Sequence, residues 1–311
     1  MNDPSLQVLL QRCVHYDEET IAAFVDKALR HFHGNATLHG KTVLLKPNLI
    51  SSVGPSLACT HARFIAGVAA GFLHHGARLV LGDSPAFGSA VKVCEKMAIT
   101  QALRKMAVPI IEFRTPQRIQ TAQGVILTVA KEALECDLFV GLPKIKAHNQ
   151  LYMTLSVKNV FGIVKGMDKA LLHMTHGATH DGFAGNILDL LALLPPQMHF
   201  ADGIVAMHRS GPLDGEPLAL SCAAAARSAV ALDTALLTVL ELEPRRSPLW
   251  RVAARRNLVG SEPASICYPF NMPEDFHGSG FIAPATLNPI RFNPLRFLRG
   301  LINKALLRFH R

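Results

Sequence analysis

Short apolar runs alternate with segments of helical periodicity over the first two-thirds of the chain. The predicted strands of this part are 8–14, 42–48, 77–85, 108–113, 125–130 and 137–143. The predicted helices between them are 17–30, 60–76 and 88–106. Asp17 and Thr60 are the expected N-caps of the first two helices. Because the strands are almost continuously apolar and alternate with helices, the pattern predicts an α/β fold with a mostly parallel sheet covered on both faces.

The pattern after residue 148 is more helical and becomes irregular near the end. The predicted helices are 181–194, 229–242 and 248–258, and the predicted strands are 198–207 and 263–269. Residues 208–217 and 270–293 are rich in Gly, Pro and Asn, which is typical of loops. We expect one globular unit over residues 1–285, made of two lobes with a cleft between them, and a tail over 286–311. The expected lobes are about 1–140 and 141–285.

Positive charge is concentrated in that tail. The net charge is +9, and the last 25 residues contain six cations and no acid. Residues 294–311 form a cationic amphipathic pattern that is suited to peripheral contact with an anionic membrane, to contact with a protein partner, or to docking on the body of the chain. Since the rest of the chain is close to neutral, we expect no specific nucleic-acid binding.

The lengths of the apolar runs and the spacing of the cysteines bear on the cellular location and on metal binding. The apolar runs are too short to span a bilayer, and the N-terminal residues show no secretory pattern, so we expect a cytoplasmic location, with peripheral association at the inner face of the membrane as the alternative. The six cysteines include no C-x-x-C pair, which argues against a zinc ribbon or a ferredoxin-type cluster.

Polar side chains directly follow several predicted strands. These strand-end residues are Lys46, Asn48, Asp83, Lys144, His148 and Asp202. In open α/β sheets, ligands bind beyond the carboxyl ends of the strands, so we expect these side chains to line one binding crevice. Individually each is also compatible with an ordinary strand-end turn, because Asp, Asn, Gly and Pro favour turns.

The segment LSVKNVFGIVKGMDK (155–169) carries three further lysines. A continuous helix would bring Lys158, Lys165 and Lys169 near one face, as on a solvated basic surface. Gly162 and Gly166 weaken a helix by about 1 kcal/mol each relative to Ala, and they favour a turn or a close approach of the backbone to a ligand. In that second interpretation the lysines hold phosphate or carboxylate groups, or a desolvated lysine acts as base or nucleophile.

Histidines follow this segment as H-x-x-H-x-x-x-H. His173, His176 and His180 would share one side of a helix and could hold a divalent metal, although Gly177 is expected to end the helix midway. Surface histidines are the alternative interpretation. The chain has neither of the glycine-rich phosphate-binding motifs and no G-x-S-x-G nucleophile motif, so these signals for nucleotide binding and for hydrolase chemistry are absent.

Several motifs occur in the order of one known family. They are VLLKPNL (43–49), LGDSP (81–85), LPKIKAH (142–148), T-x-x-x-KN-x-FG (154–162), DGIVAM (202–207), GP-x-x-G (211–215) and AVALD (229–233), with Thr60, Lys169 and His173. From about residue 41 to 268 the chain resembles the family called domain of unknown function 362. A fainter similarity connects it with the nickel-pincer racemases of the lactate racemase type, which also combine a Rossmann-like lobe with a Gly-, Lys- and His-bearing cofactor segment.

The family resemblance implies little about the chemistry of this chain. Several family members are described as iron–sulfur proteins, and some append a ferredoxin-like cysteine module that this chain lacks. Family members often carry an acidic residue after DGIVAM, where this chain has His208. The resemblance adds Asn159 to the expected site.

The leading hypothesis is an enzyme that acts on a small carboxylated or phosphorylated molecule in a Lys/His-rich cleft, with or without a metal or metal cofactor. The predicted substrate-binding residues are Lys46, Asn48, Lys144, Lys146 and Asn159. The predicted catalytic residues are His148, Lys158, Lys169, His173, Asp83 and Asp202, and the predicted metal ligands are His173 and His176. The alternatives are a non-catalytic ligand-binding or cofactor-delivery protein held at a membrane by its tail, and a redox iron–sulfur protein.

Overall fold

The computed structural model describes residues 3–34, 37–86 and 88–290. Its strands are β1 (Val8–Arg12), β2 (Thr42–Pro47), β3 (Arg78–Asp83), β4 (Ile110–Glu112), β5 (Pro116–Gln120), β6 (Ile126–Ala130), β7 (Leu138–Leu142), β8 (Lys144–His148), β9 (Tyr152–Thr154), β10 (Gln197–His208) and β11 (Glu216–Ala226). Its α-helices are α1 (Glu18–His33), α2 (Ala62–His74), α3 (Ala90–Lys96), α4 (Ile99–Leu103), α5 (Lys131–Leu134), α6 (Ser156–Val160), α7 (Asp168–His176), α8 (His180–Asp189), α9 (Ala229–Val239) and α10 (Pro248–Arg255).

Nine of these strands form one mixed, mostly parallel sheet. Its main order is β1-β11-β10-β7-β2-β3-β4, and β8 and β9 continue from β10. The pairs from β10 through β7 and β2 to β3 and β4 are parallel, whereas β11 runs antiparallel to both β1 and β10. Strands β5 and β6 form a separate antiparallel pair. The predicted α/β class with a mostly parallel sheet is confirmed.

Helices cover both faces of the sheet. In β2, Val43 and Leu45 face the core that contains α1 and α2, whereas Leu44 faces the core that contains α8 and α10. This alternation follows from the two-residue period of a strand. The helices α1 and α2 touch closely because Gly67 of α2 has no Cβ, which would overlap Ile21 of α1. Each strand of the sheet interior therefore has to be apolar on both sides.

Strand β8 is the feature that positions the polar residues. After β7 the chain passes through Pro143 and continues alongside the long strand β10, so that β7 and β8 pair with successive parts of it. This register places Asp202 opposite Lys144. Lys144, Lys146 and His148 consequently lie within a strand of the sheet and are buried, whereas the sequence predicted that they follow the end of a strand.

Several element predictions are wrong. Strands β5, β8, β9 and β11 were not predicted, and 263–269 contains a 3-10 turn and a single bridge between Gln7 and Cys267 in place of a strand. His61, and not Thr60, is the N-cap of α2. Asp17 caps α1 as expected, through a hydrogen bond from Thr20 N.

The expected lobes are connected through the sheet, since β1 pairs with β11. The division into lobes 1–140 and 141–285 stays a prediction. Residues 291–311, most of the predicted tail, lie outside the described residues. In the described part of the chain, no helix combines the length and the apolar character that a membrane span needs.

Candidate functional site

The carboxyl ends of β2 and β3 carry a buried ion pair. Lys46 Nζ lies 2.8 Å from Asp83 Oδ1, and neither side chain is more than 3% exposed. Asp83 Oδ2 accepts a hydrogen bond from Leu49 N at 2.9 Å, and Lys46 Nζ donates one to Pro47 O at 2.9 Å. Burial lowers the pKa of Lys46, and the charge of Asp83 opposes this effect. Lys46 therefore has its counter-charge within the protein.

Two asparagine side chains connect this pair to the rest of the site. Asn159 Oδ1 accepts hydrogen bonds from Lys46 Nζ at 2.9 Å and from Asn48 Nδ2 at 2.8 Å. Asn159 Nδ2 donates to Lys46 O at 3.0 Å, and Asn48 Oδ1 accepts from Lys144 N at 2.7 Å. All four residues are buried. The KPN motif, β8 and α6 are thus held together by satisfied amide groups.

Gly162 lies directly over the same ion pair. A Cβ atom at this position would overlap Asp83 Oδ1 and Lys46 Nζ. The backbone is fixed there by a hydrogen bond from Ser84 N to Gly162 O at 3.1 Å. The close approach predicted for this glycine therefore exists, but the group it approaches is the Lys46–Asp83 pair.

A second buried ion pair lies at the junction of β8 and β10. Lys144 Nζ is 2.9 Å from Asp202 Oδ2 and 2.8 Å from the Tyr16 hydroxyl, which donates to Asp202 Oδ1 at 2.8 Å. His61 N donates to Asp202 Oδ2 at 3.0 Å, and the His61 ring stacks on Tyr16 with 3.7 Å between centroids. Burial and the charge of Asp202 raise the pKa of Tyr16, so its hydroxyl stays protonated. Lys144 is also paired internally.

Lys146 and Lys169 differ from these two lysines in having backbone carbonyls as partners. Lys146 Nζ donates to Ala58 O, and Lys169 Nζ donates to Ser84 O. Burial lowers the pKa of Lys146 to about 7 and that of Lys169 to about 8. Neither ammonium is paired with a carboxylate among the described residues. In the protonated form each has three N–H donors, of which the backbone carbonyl uses one.

Lys158 differs from the other lysines of the site because its nitrogen lies over an aromatic ring. Its Nζ lies 4.5 Å from the centroid of the Phe161 ring, and its side chain is partly exposed. Burial lowers its pKa to about 7, and the charges of Lys169 and Lys146 act in the same direction. Within the described part of the chain it has neither a carboxylate nor a hydrogen-bond acceptor as a partner.

Two neutral histidines adjoin Lys158. The Nδ1 atom of His148 accepts hydrogen bonds from Gln150 N at 3.1 Å and from Leu151 N at 3.2 Å, which leaves the proton of the neutral ring on Nε2. Burial lowers the pKa of His148 well below its usual range, and Lys158 lowers it further. Burial and then Lys158 lower the pKa of His173 to about 4. Both rings are uncharged near neutral pH.

The three histidines of the H-x-x-H-x-x-x-H pattern do not share one helix. Helix α7 ends at His176, which is exposed, and His180 begins α8. His173 Nδ1 lies 3.2 Å from Ile290 O, and His180 Nε2 lies 3.0 Å from Asn288 O. The break at Gly177 that the sequence suggested is confirmed.

No three His, Cys, Asp or Glu side chains come together as a metal site in residues 3–34, 37–86 and 88–290. The six cysteines, all within these ranges, are free thiols. The geometry thus adds no support for a metal site or an iron–sulfur cluster, and the metal role of His173 and His176 stays a prediction.

Other residues contribute to the site in ways that the sequence did not predict. Thr60 Oγ1 accepts from Asn48 N at 2.8 Å and donates to Leu142 O at 2.6 Å, so Thr60 braces two strand ends and does not cap a helix. Tyr16 precedes one predicted helix and His61 lies near the start of another, and no sequence signal marked either as a site residue.

Asp233 anchors the helix that carries Lys158 and Asn159. Its carboxylate accepts hydrogen bonds from Ser156 N at 2.7 Å and from Val157 N at 3.2 Å, at the start of α6. Burial raises the pKa of Asp233 to about 8, and the two N–H groups oppose this effect. The AVALD motif was the signal that could have identified this residue.

The fold and the site define an α/β protein in which the KPN, GDSP, PKIKAH and KNVFG segments meet around buried lysines. A family model described as domain of unknown function (DUF362) matches residues 43–238. The chain belongs to this family, as the motifs predicted.

Relatives of the chain include a protein with a recorded cellular association. The "Thylakoid-associated protein sll1697" of Synechocystis sp. is 34% identical over 278 residues, which cover 89% of this chain and 86% of that protein.

Among solved structures, the lactate racemase apoprotein from Thermoanaerobacterium thermosaccharolyticum is 16% identical, with a TM-score of 0.41, and the match covers 65% of this chain and 52% of that one. A structural-genomics protein from Thermotoga maritima is 11% identical, with a TM-score of 0.39, and the match covers 65% of this chain and 54% of that one. The chain thus spans about half the length of these two proteins. We draw no functional inference from either likeness.

Proposed function

We propose that the lysine cluster binds a small carboxylated or phosphorylated molecule and that the protein acts on this molecule as an enzyme. One observation carries the proposal: Lys146, Lys158 and Lys169 lie together without a carboxylate partner among the described residues, whereas Lys46 and Lys144 are each paired with an aspartate. Cations withdrawn from water are costly unless a counter-charge is supplied. An anionic ligand would supply it.

The surrounding residues support different roles in this site. Two buried ion pairs, Lys46–Asp83 and Lys144–Asp202, form a frame in which each charge is satisfied by its partner. This favours a role in positioning the site over a direct role in the reaction. The neutral His148 ring, with its proton on Nε2, is suited to donating a hydrogen bond to an anionic oxygen.

Binding of inorganic phosphate and of pyruvate, measured by calorimetry, tests the anion site. Lys146→Ala and Lys169→Ala should each weaken binding by about tenfold or more, since a hydrogen bond to a charged group contributes about 1.5–3 kcal/mol. Lys165→Ala is the matched control, because Lys165 belongs to the same segment but contacts β6 through its backbone, from Lys165 N to Thr128 O at 2.8 Å. Absence of binding, or an equal loss in the control, would contradict the proposal.

Catalysis is tested by incubating the full-length protein with a metabolite extract and following the anionic compounds by mass spectrometry. Wild-type protein should consume at least one carboxylated or phosphorylated compound, and Lys158→Ala should not. A composition that does not change with wild-type protein would leave a ligand-binding protein as the better description.

We also propose peripheral membrane association through residues 294–311 as a second candidate function. It is favoured by the recorded thylakoid association of a relative that shares 34% of its sequence with this chain, together with the basic amphipathic pattern of the tail. Sedimentation with vesicles tests it. Full-length protein should bind vesicles that contain phosphatidylserine and not neutral ones, and deletion of 294–311 should abolish binding. Equal binding after the deletion would contradict it.

A further inference from the structure

The five lysines of the site differ in what their side-chain nitrogens contact. Lys46 and Lys144 are bound to aspartates, and Lys146 and Lys169 donate to backbone carbonyls. The nitrogen of Lys158 lies over the face of Phe161 and has no hydrogen-bond acceptor among the described residues. The side chains of Lys158 and Lys169 are partly exposed, while Lys46, Lys144 and Lys146 are about 1% exposed. Lys158 is therefore the partly exposed lysine of the site whose nitrogen no described acceptor occupies, since Lys169 donates to Ser84 O.

The neighbours of Lys158 favour a neutral amine with an available lone pair. An aromatic face in place of a carboxylate provides little stabilisation for an ammonium ion compared with an ion pair. Lys146 and Lys169 add positive charge nearby. A desolvated lysine next to other cations is a recognised arrangement for an amine nucleophile.

We propose that Lys158 forms an imine with a small carbonyl compound that also carries a carboxylate or phosphate group. The nitrogen lone pair attacks the carbonyl carbon, the C–N bond forms, and the carbonyl oxygen leaves as water with the two protons of the amine. No oxidant or reductant is needed. Lys169, whose side chain is partly exposed, holds the anionic group through N–H donors that Ser84 O does not use, and Lys146 adds positive charge behind it.

His148 and Phe161 complete the site for this reaction. The Nε2–H of His148 is placed by the two backbone bonds to Nδ1 and donates a hydrogen bond to the departing oxygen. Phe161 contacts the lysine side chain from one side and limits the directions in which its nitrogen can point. The inference rests on the proposed function, because it assigns a substrate class to the same anion site.

Reductive trapping tests the imine. Full-length protein is incubated with sodium cyanoborohydride and either pyruvate or dihydroxyacetone phosphate, and acetone serves as a carbonyl compound without an anionic group. Peptide mapping by mass spectrometry should place the reduced adduct on Lys158, at least about tenfold above that on Lys165, because a carbonyl group held beside one amine reacts faster than one free in solution. Acetone should give no comparable adduct.

Variants and a parallel measurement make the outcome decisive. Lys158→Arg keeps a cation but cannot form the imine, so the adduct should disappear, whereas Lys165→Ala should leave it unchanged. An adduct spread over surface lysines, no adduct with either anionic probe, or an undiminished adduct in Lys158→Arg would overturn the inference. If Lys158→Arg does not fold, the wild-type peptide map decides alone.

The covalent step and the anion site can fail separately. Stabilisation of the wild-type protein by phosphate is measured on the same samples as a shift in the unfolding midpoint. If phosphate stabilises the protein and no adduct forms on Lys158, the imine is excluded while the anion site stands. If neither phosphate nor pyruvate has an effect and no adduct forms, both proposals are excluded.

Discussion

At the scale of single residues, the available counter-charge distinguishes the lysines. Lys46 and Lys144 each lie within 2.9 Å of an aspartate oxygen and are held in place by these ion pairs. Lys146, Lys158 and Lys169 have lowered pKa values and are partly neutral near neutral pH. The five lysines of the site are therefore suited to different roles, because the groups that surround each side-chain nitrogen differ.

Breaking the Lys46–Asp83 ion pair should cause a large loss of unfolding free energy. In Asp83→Asn, the charge of Lys46 remains buried without compensation, and breaking such a pair costs roughly 3–5 kcal/mol. Chemical denaturation of the variant should show this loss of unfolding free energy. Glu135→Gln is the control, because it breaks the exposed Lys131–Glu135 pair, for which we expect less than about 1 kcal/mol. Similar losses in both variants would contradict a buried frame.

Single residues were predictable where a strand pattern ended at them. Lys46, Asp83 and Asp202 follow apolar runs, and the parallel sheet brings the first two together. Tyr16 was not predictable, because its contact with Asp202 spans 186 residues and depends on where α1 begins relative to β10. Local patterning carries no information on such a contact.

At the scale of elements, the 155–169 segment contains a short α-helix and a 3-10 turn that would not be stable as an isolated peptide. Helix α6 has five residues and is followed by a 3-10 turn over Phe161–Ile163, so the continuous basic helix face is wrong. Helices of this length are marginal in water and depend on tertiary contacts. Asp233 and the Asn159 bonds provide these contacts. The glycines indicated the break, but they did not indicate what the backbone approaches.

Substitution at Gly162 tests this packing. Gly162→Ala places a methyl group against Asp83 and Lys46, so the 3-10 turn has to move, and we expect a loss of about 1–3 kcal/mol in unfolding free energy together with weaker phosphate binding. Gly166→Asn is the matched control, because Gly166 has a φ of +55° with open space around it and Asn tolerates that conformation. Unchanged phosphate affinity in Gly162→Ala would contradict a site built on this contact.

At the scale of the whole molecule, the sheet connects the start of the chain to its last third. The parallel part from β2 to β7 followed from the alternation of apolar runs and helices. The pairing of β11 with β1 did not, because 216–226 is rich in Ala and lacks the β-branched residues that favour strands. The long strand β10, which joins the two parts, is what places β8 and its lysines inside the molecule.

Buried lysines should give the ligand-free protein an unusual dependence of stability on pH. Burial lowers the pKa of Lys146 from 10.5 to about 7, so between these values the unfolded chain binds more protons than the folded one. The contribution of this lysine to the unfolding free energy therefore rises with pH, by about 1.4 kcal/mol per pH unit over that window. Below the folded pKa the stabilisation is lost.

Comparison with Lys146→Met isolates this contribution from the other titrating groups, such as Asp233 and the cysteines. The stability of the variant relative to wild type should be most favourable near pH 7 and should decline steadily towards pH 10. Loss of the hydrogen bond to Ala58 O adds an offset that does not vary with pH, so the slope is the quantity to measure. The unfolding free energy of Lys165→Met should change with pH in parallel with that of the wild-type protein. A flat difference for Lys146→Met would mean that Lys146 stays charged in the folded protein, and an anion that neutralises it would then not be required.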